Sequence, residues 1–360
     1  MKRFFLLISF LPLLLCCGGK EDIVELPPPV VQPGGNGGSG ENGGENEDSG
    51  NGTHAWDANR GKIVTPSGTG WTTTTIRDGI VYYAFSGKDP VTNVRQEVFA
   101  IDLDLSKTQY EVKLTYTSPT VVTSDVHTKY NAIATMNAGY EAGSIYIRSD
   151  GKDKSSLPNT SIGSTGVPNW KSEAAFVADG KRSIELVTTG KLIRPYKSPD
   201  DIKTLISSQR NYCLKRTEPY IITSSPMLID DYNPVGTTFI NSTISNWSSL
   251  NSEEPQYHQR KRHPRTAVAL TENNHFIMFV VDGRTNESLG MSAKELTEFL
   301  VQNFNPQYAL NMDGGGSTTL CVEGQGDATT HVVNYPCDNS KHDHDGQRKR
   351  DTHFVIVEAK

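Results

Sequence analysis

The stretch "SAKELTEFLVQNFNPQYALNMDGGGSTTL", residues 292–320, contains the signals for a helix, a buried strand and a glycine loop in direct succession. Ser292 and Glu295 have the spacing of a capping box, which marks the start of a helix. Apolar residues then recur at helical spacing as far as Phe304. The apolar run "QYALNMD" predicts a buried strand that leads directly into Asp313.

The glycine triplet behind Asp313 is an unusual choice for an ordered segment, because glycine loses more backbone freedom on folding than any other residue. Gly314, Gly315 and Gly316 can adopt positive φ and turn their N–H groups toward an anion or a sugar hydroxyl. Ser317 adds a hydroxyl group. The stretch lacks the lysine of a phosphate-binding P-loop and the spacing of a dinucleotide-binding loop. A tight turn without a ligand is the alternative.

The surrounding sequence alternates strand-like runs with turn signals. "GIVYYAFSG", "QEVFAIDLDL" and "YEVKLTYTS" carry β-branched and aromatic residues at period two. Hairpins are expected around Asp179–Gly180 and around Asn273–Asn274, and "HFVIVE" predicts a closing strand. Many strands and few helices predict one large α+β domain over residues 62–360, with a mixed, largely antiparallel sheet.

The N-terminal sequence "MKRFFLLISFLPLLLCC" has a basic start and an apolar run too short to span a bilayer. It resembles a bacterial lipoprotein signal, so residues 1–17 are expected to be a signal peptide that ends at the lipidation cysteine, Cys17. The following "GGKED" is similar to an acidic signal for export of lipoproteins to the cell surface. We therefore expect an outer-membrane lipoprotein, exposed at the surface or facing the periplasm; a plainly secreted protein is the alternative.

Residues 18–61 are rich in Pro, then in Gly, Asn and Glu, and have no apolar periodicity. Such a composition cannot bury enough apolar surface to fold, which predicts a flexible, disordered linker. The expected partners therefore include the membrane, reached through the lipid anchor.

The net charge of −6 and the pI near 5.9 come with no basic stripe, which makes nucleic acid an unlikely partner. Three cysteines remain after Cys17: Cys213, Cys321 and Cys337. In an oxidising compartment an odd number allows one disulfide and one free thiol. Cys321–Cys337 is the predicted pair.

Four further stretches place polar groups at the ends of apolar runs. They are "MNAGYE" (136–141), "SPMLID" (225–230), "HPRTAVAL" (263–270) and "FVVDGR" (279–284), and the spaced Asn334, Pro336 and Arg348 follow. Together with "NMDGGGSTTL" they resemble the phosphodiester glycosidase family, in the same order over residues ~75–358. That family includes the lysosomal-pathway uncovering enzyme, which removes N-acetylglucosamine from phosphodiester-linked mannose.

The resemblance implies one shared cleft and assigns residues to it. Asp313, Asp282 and Arg265 are the implied catalytic residues. The implied substrate-binding residues are Asn137, Gly139, Tyr140, Thr266, Gly283, Arg284, Gly314, Gly315, Gly316, Ser317, Asn334 and Arg348. This sequence has Gln347 where the family usually has Glu, so Arg350 could take the place of Arg348.

The resemblance implies an extracellular hydrolase that cleaves the sugar C1–O bond of a glycosyl phosphodiester. Arg265, helped by Arg284, would bind the phosphate as charge grows on it. Asp313 and Asp282 would stabilise the sugar cation, attack C1 or activate water. Which aspartate has which role is left open.

Two other functions fit parts of the sequence. A non-catalytic glycan-binding surface lipoprotein would use exposed aromatic platforms, for which Trp170 and Trp247 are candidates. A phosphodiesterase that cleaves P–O would normally need a metal pair, and the sequence shows no ligand set for one.

The run "HDHD", residues 342–345, has metal-ligand chemistry, but adjacent residues on an extended loop point in opposite directions. It therefore predicts a solvated polar loop. No cofactor is required by the sequence, and a Ca²⁺ ion at Asp282 or Asp313 is left open.

Overall fold

Three β-sheets make up the folded part of the chain. The computed structural model describes residues 54–157, 170–188, 199–239 and 245–360. The strands of this described part are β1 Trp71–Arg77, β2 Ile80–Lys88, β3 Arg95–Asp104, β4 Tyr110–Val121, β5 Ala134–Asn137, β6 Ile147–Ser149, β7 Lys152–Ser155, β8 Ala174–Ala178, β9 Ile184–Thr188, β10 Tyr220–Ser224, β11 Met227–Ile229, β12 Arg265–Leu270, β13 His275–Val281, β14 Tyr308–Asn311, β15 Leu320–Val322 and β16 Arg350–Glu358. Its α-helices are α1 Thr123–Tyr130, α2 Pro199–Lys215, α3 Pro255–Arg260 and α4 Ala293–Asn303.

The largest sheet has the order β1-β2-β3-β13-β12-β14-β11. Its centre is the β12–β13 hairpin that the sequence predicts, and Asn274 takes a positive φ of 64° in the turn. The neighbouring strand β14 is the predicted strand that leads toward Asp313. All of these strand pairings are antiparallel.

The two smaller sheets have the orders β7-β6-β10-β8-β9 and β15-β5-β16-β4. The predicted hairpin around Asp179–Gly180 is confirmed as β8–β9, with Gly180 at a φ of +77°. The predicted closing strand is confirmed as β16, which lies between β4 and β5. The expected α+β class with largely antiparallel pairing is therefore confirmed, with the strands divided among three sheets.

Aromatic rings join the three sheets into one core. Phe276 of the large sheet, Phe176 of β8 and Phe354 of β16 have ring centroids 4.8–6.4 Å apart. The opposite face of the large sheet is covered by α4, whose Phe299 packs against Phe279. Because the sheet is buried on both faces, its central strands read as continuous apolar runs.

Helix α4 begins as the sequence predicts. Ser292 accepts a hydrogen bond from the Glu295 N–H, and the Glu295 carboxylate accepts one from the Ser292 N–H at 2.9 Å. Glu295 also pairs with Arg262, so the cap ties the helix to the segment that leads into β12.

The described chain begins before residue 62, where the sequence predicts the domain boundary. Ala55–Asn59 form a 3₁₀ turn, and the Asn305 amide donates to the carbonyls of Asn59 and Lys62 at 2.8 and 2.7 Å. These contacts bind residues 59–62 to the loop that follows α4.

The predicted disulfide is wrong, because Cys213, Cys321 and Cys337 are all free and buried. Cys321 lies in β15, where its backbone pairs with Thr135 of β5, whereas the thiol of Cys337 lies beside Arg284. Closeness in sequence does not bring the two thiols together, because Cys321 lies within a sheet whereas Cys337 lies in a loop. In the described residues no helix is long and apolar enough to cross a membrane.

Candidate active site

The predicted site residues meet at one edge of the large sheet. Strand β12 runs antiparallel to both of its neighbours, with Arg265 opposite Val281 of β13 and Ala267 opposite Asn311 of β14. The start of β12 therefore lies between the ends of the other two strands. This topology places Asp282, Asp313 and the start of β12 side by side.

The end of β5 joins the same place from another sheet. The Asp313 N–H donates to the carbonyl of Ala138 at 3.0 Å, and the Asn137 side-chain amide donates to the carbonyl of Asp313 at 2.7 Å. From the other side, the Met312 N–H donates to the carbonyl of Thr266 at 2.8 Å. The backbone before the glycine loop is thus fixed by two sheets at once.

A buried polar network supports the chain after the glycine loop. Asn137 Oδ1 accepts from the Thr319 N–H at 3.0 Å and from the Thr266 hydroxyl at 3.3 Å, and Thr266 contacts the Thr318 hydroxyl at 3.3 Å. Asn334 accepts from the Leu320 N–H at 2.9 Å. Asn137, Thr266 and Asn334, which the resemblance assigns to substrate binding, are fully buried and hold the loop in place.

Asp282 belongs to this supporting network. Its side chain is 1% exposed, and its two oxygens accept from the Asn334 amide and from the Tyr335 N–H, both at 2.8 Å. Burial raises the pKa of Asp282 to about 7, against the lowering effect of these two donors. Both oxygens are occupied, so the carboxylate has little capacity left for a ligand.

Asp313 is also an aspartate near the end of a strand, but its side chain has different partners. Its side chain is 14% exposed, and its Oδ2 lies 3.1 Å from Arg350 Nε in an ion pair without hydrogen-bond alignment. The buried Ser317 hydroxyl lies close enough to Asp313 to lower the pKa of that carboxyl, although the two side chains lack good hydrogen-bond geometry. Burial raises the pKa of Asp313, and Arg350 opposes that effect. Buried polar atoms without well-aligned partners are suited to a ligand.

Two positions of the glycine loop favour glycine because arginine side chains lie close to them. A Cβ on Gly315, whose φ is +61°, would lie 3.2 Å from Arg284 Nη2. A Cβ on Gly316 would collide with the guanidinium of Arg348. A side chain at either position would require one of the two guanidinium groups to move, whereas glycine leaves room for both.

The arginines around the loop differ in their partners. Arg348 is paired with Asp338, and Arg350 is paired with Asp313 and donates to the Gly139 carbonyl at 3.3 Å. Arg284 is exposed and forms no ion pair within the described ranges. Its Nη2 lies 3.3 Å from Nδ1 of His263, whose pKa is lowered by burial, so the ring is neutral and accepts the hydrogen bond.

Arg265 is turned away from the loop. Its side chain is 1% exposed and donates to three carbonyls, those of His258, Lys261 and Met291, at 2.7–3.0 Å. Burial lowers the pKa of Arg265 to about 10. The guanidinium stabilises the end of α3 in this arrangement. Phosphate binding by Arg265 stays a prediction, and Arg284 is the better placed of the two.

The remaining predicted residues pack closely around this frame. Tyr140 is buried, and its hydroxyl donates to the Ser225 carbonyl at 3.1 Å. A Cβ on Gly139 would meet Ile222 and Ile145, and one on Gly283 would meet Pro264. These positions shape the backbone and present no polar side chain of their own to a substrate.

The motifs outside the cleft have structural roles. Trp170 is 1% exposed and donates to the Glu253 carbonyl, so it is no exposed platform, whereas Trp247 is half-buried beneath Arg260. The "HDHD" run is a loop, as predicted, and the rings of His342 and His344 stack on Tyr335. Within the described ranges no group of three or more His, Cys, Asp or Glu side chains could hold a metal.

Three polar residues near Asp313 were not singled out from the sequence. Glu141 and His263 lie inside quoted motifs, and their position beside the other motif residues was the available signal. Lys171 precedes β8 in a stretch without any motif, and only the fold brings it over the ring of Tyr140.

An acid at the lip of a glycine loop, flanked by guanidinium groups, defines a class of sites suited to phosphate-bearing substrates. Residues 130–357 match the family described as phosphodiester glycosidase. The chain belongs to the phosphodiester glycosidase family. No curated protein matches it in sequence.

Solved structures similar to this chain come from several organisms. A putative exported protein from Burkholderia pseudomallei is 11% identical with a TM-score of 0.53, covering 82% of this chain and 99% of its own. A hypothetical protein from Synechocystis is 14% identical with a TM-score of 0.50; the match covers 81% of this chain but only 64% of that one. The zebrafish N-acetylglucosamine-1-phosphodiester alpha-N-acetylglucosaminidase catalytic domain, auto-inhibited by its pro-peptide, is 18% identical with a TM-score of 0.48, covering 83% and 87%.

Proposed function

We propose that this protein hydrolyses the sugar C1–O bond of glycosyl phosphodiesters, with N-acetylglucosamine-1-phosphodiester-like compounds as the substrate class. Membership of the phosphodiester glycosidase family supports the reaction class. The observation that carries the proposal is the Asp313 carboxylate, which is held by Arg350 at the lip of the glycine loop while Oδ2 has no hydrogen-bond donor.

Arg284 is the group we assign to the phosphate. It is exposed, it lies against Gly315, and no carboxylate neutralises it within the described part of the chain. As the C1–O bond breaks, its electron pair moves to the phosphate oxygen, and a guanidinium stabilises that charge by bidentate hydrogen bonds. Because a phosphate monoester leaves easily, this stabilisation reduces the need for a general acid.

Asp313 acts on the other side of the scissile bond. As the sugar ring becomes oxocarbenium-like, an adjacent carboxylate stabilises the positive charge on C1, either electrostatically or by forming a covalent bond. The ion pair with Arg350 fixes the orientation of the carboxylate and opposes the rise in its pKa that burial causes. Asp282 stabilises this arrangement indirectly, through its hydrogen bonds to Asn334 and Tyr335.

The test is hydrolysis of UDP-N-acetylglucosamine and of a nitrophenyl α-N-acetylglucosaminyl phosphodiester, with and without EDTA, while sugar and phosphate products are separated. Free sugar formed equally with and without EDTA is the expected result. Sugar phosphate whose formation is lost in EDTA would instead indicate a metal phosphodiesterase that cleaves P–O. Glycan binding without turnover would indicate a binding protein.

Two arginine variants sharpen this test. Arg284→Gln should lower kcat/KM by roughly 10²-fold, because it removes a charge-assisted contact to the leaving phosphate. Arg348→Gln is the matched control, since that arginine also touches the glycine loop but is already paired with Asp338. Equal losses in both variants would contradict the assignment of Arg284.

We further propose that the protein works outside the cytoplasm, attached to the outer membrane through lipidated Cys17. The basic start, the apolar run and the cysteine pair of residues 1–17 support this location. Metabolic labelling with a radioactive fatty acid should mark the wild type and not a Cys17→Ser variant. A labelled Cys17→Ser protein, or an unlabelled wild type, would contradict it.

A further inference from the structure

We propose that Glu141 is the second carboxylate of the reaction and takes the proton from the water molecule that attacks C1. This inference rests on the proposed function. It replaces the pairing of Asp313 with Asp282, because both oxygens of Asp282 are already occupied by buried N–H donors.

Glu141 lies on a loop that is fastened to the same arginine as Asp313. The Gly139 carbonyl accepts a hydrogen bond from Arg350 Nη2, while Arg350 Nε faces Asp313 Oδ2. The Ala142 N–H donates to the carboxylate of Asp351 at 3.0 Å. Glu141 therefore stands between two fixed points, close enough to Arg350 and to Asp313 for its charge to interact with both.

Lys171 orients the Glu141 side chain through an ion pair. Its Nζ lies 3.3 Å from Glu141 Oε1 and 2.8 Å from Glu253 Oε2, and it sits 5.0 Å from the centre of the Tyr140 ring. Lys171 is only 12% exposed, whereas the side chain of Glu141 is 58% exposed. The glutamate is thus both oriented by a held cation and open to water, as a base for a water nucleophile must be.

The two carboxylates are coupled, and their environments move their pKa values in opposite directions. Burial raises the pKa of Asp313, and Glu141 adds to that effect. Burial also acts to raise the pKa of Glu141, but Lys171 and Arg350 outweigh it and the pKa is lowered. The lowered pKa favours the ionised form of Glu141, which is the form that can accept a proton from water.

The water oxygen forms a bond to C1, and the C1–O bond to phosphate breaks with its electron pair on the phosphate oxygen. One water proton passes to the Glu141 carboxylate and is later released to solvent, while Asp313 stabilises the cationic C1. The charged and titratable groups around Glu141 are Lys171, Glu253, Arg350, Asp351, Asp313 and Tyr140.

A structural role for Glu141, limited to holding Lys171, predicts a different outcome and can be tested with Glu253. Both glutamates bond the same ammonium group, so Glu253→Gln is the matched control for Glu141→Gln. We expect Glu141→Gln to lower kcat by roughly 10²- to 10⁴-fold, as loss of a general base does, and Glu253→Gln to change it less than threefold. Thermal unfolding of both variants would confirm that they fold.

Sodium azide separates a base from a structural residue. Azide is an anion and needs no proton removed, so in Glu141→Gln it should restore turnover and form glycosyl azide. Equal activity of the two variants, or no azide rescue of an impaired Glu141→Gln, would overturn the inference while leaving the hydrolase intact. A wild type without glycosyl phosphodiester hydrolysis would instead defeat the proposed function, and this inference with it.

Discussion

Two aspartates that follow the strands on either side of β12 show how differently one Asp–Gly dipeptide can be used. Asp282–Gly283 ends β13 and Asp313–Gly314 follows β14, with β12 between the two strands. Asp282 is 1% exposed and accepts two hydrogen bonds from N–H groups. Asp313 is 14% exposed and has only an imperfect ion pair with Arg350.

The availability of hydrogen-bond partners, more than burial alone, distinguishes the two carboxylates. Burial raises the pKa of both groups. At Asp282 the fold provides every partner, which stabilises the loop that carries Asn334 and Tyr335. At Asp313 the fold leaves an oxygen for a ligand, which costs stability and is typical of active sites.

The largest effect should come from Asp313→Asn. Removal of the carboxylate charge at C1 should lower kcat by roughly 10³-fold or more, with little change in the unfolding temperature. Steady-state kinetics and thermal unfolding measure the two quantities. A variant that keeps a tenth of wild-type turnover would place the reacting carboxylate elsewhere.

Asp282→Asn should show the opposite pattern, with a loss of stability as its main effect. The new amide turns an N–H group toward the donors of Asn334 or Tyr335, which should lower the free energy of unfolding by about 1–3 kcal/mol. Urea unfolding of the variant and the wild type measures this difference in the free energy of unfolding. If Asp282→Asn instead lost turnover at unchanged stability, the supporting role would be wrong.

The raised pKa of Asp282 predicts that the stability of the fold depends on pH. A carboxyl with a folded pKa of about 7 and an ordinary unfolded value stabilises the fold fully at low pH, and this contribution is lost as the pH rises toward 7. The stability difference between wild type and Asp282→Asn should therefore shrink between pH 4 and pH 7, by at most roughly 1.4 kcal/mol per pH unit. A constant difference across that range would contradict the raised pKa.

Arg350→Gln should have a smaller effect that acts through Asp313. Arg350 lowers the pKa of that carboxyl, so its removal raises the pKa further and moves the acid limb of kcat/KM to higher pH. At a pH on that limb we expect a loss of roughly tenfold, about 1.4 kcal/mol. Arg77→Gln, which breaks ion pairs with Glu323 and Glu358, should leave the limb in place.

Gly315→Ala should give the smallest effect. Both Gly315 and Gly324 have positive φ, at 61° and 67°, so alanine at either position should cost about 1 kcal/mol of stability. Only at Gly315 would the new Cβ meet Arg284, whereas nothing lies within 4 Å at Gly324. Gly315→Ala should therefore raise KM severalfold and Gly324→Ala should not; similar KM values would argue against a phosphate site at Arg284.

Much of the fold could be predicted because its signals are local. The capping box of Ser292 and Glu295 and the turn pairs of two hairpins act over a few residues, and the structure confirms them. The disulfide failed because nothing local determines that Cys321 enters β15 while Cys337 packs beside Arg284.

The sequence alone predicted the fold class, helix α4, several strands with two hairpins, and the motif residues that meet at one edge of the large sheet. The tertiary structure decides which hydrogen-bond partners and how much exposure each of these residues has. Arg265 and Arg284 both adjoin strand ends, but the first is enclosed by carbonyls and the second is exposed and forms no ion pair within the described chain. Hydrogen-bond partners and burial come from pairings such as β5 with β16, over two hundred residues apart, and no local pattern contains them.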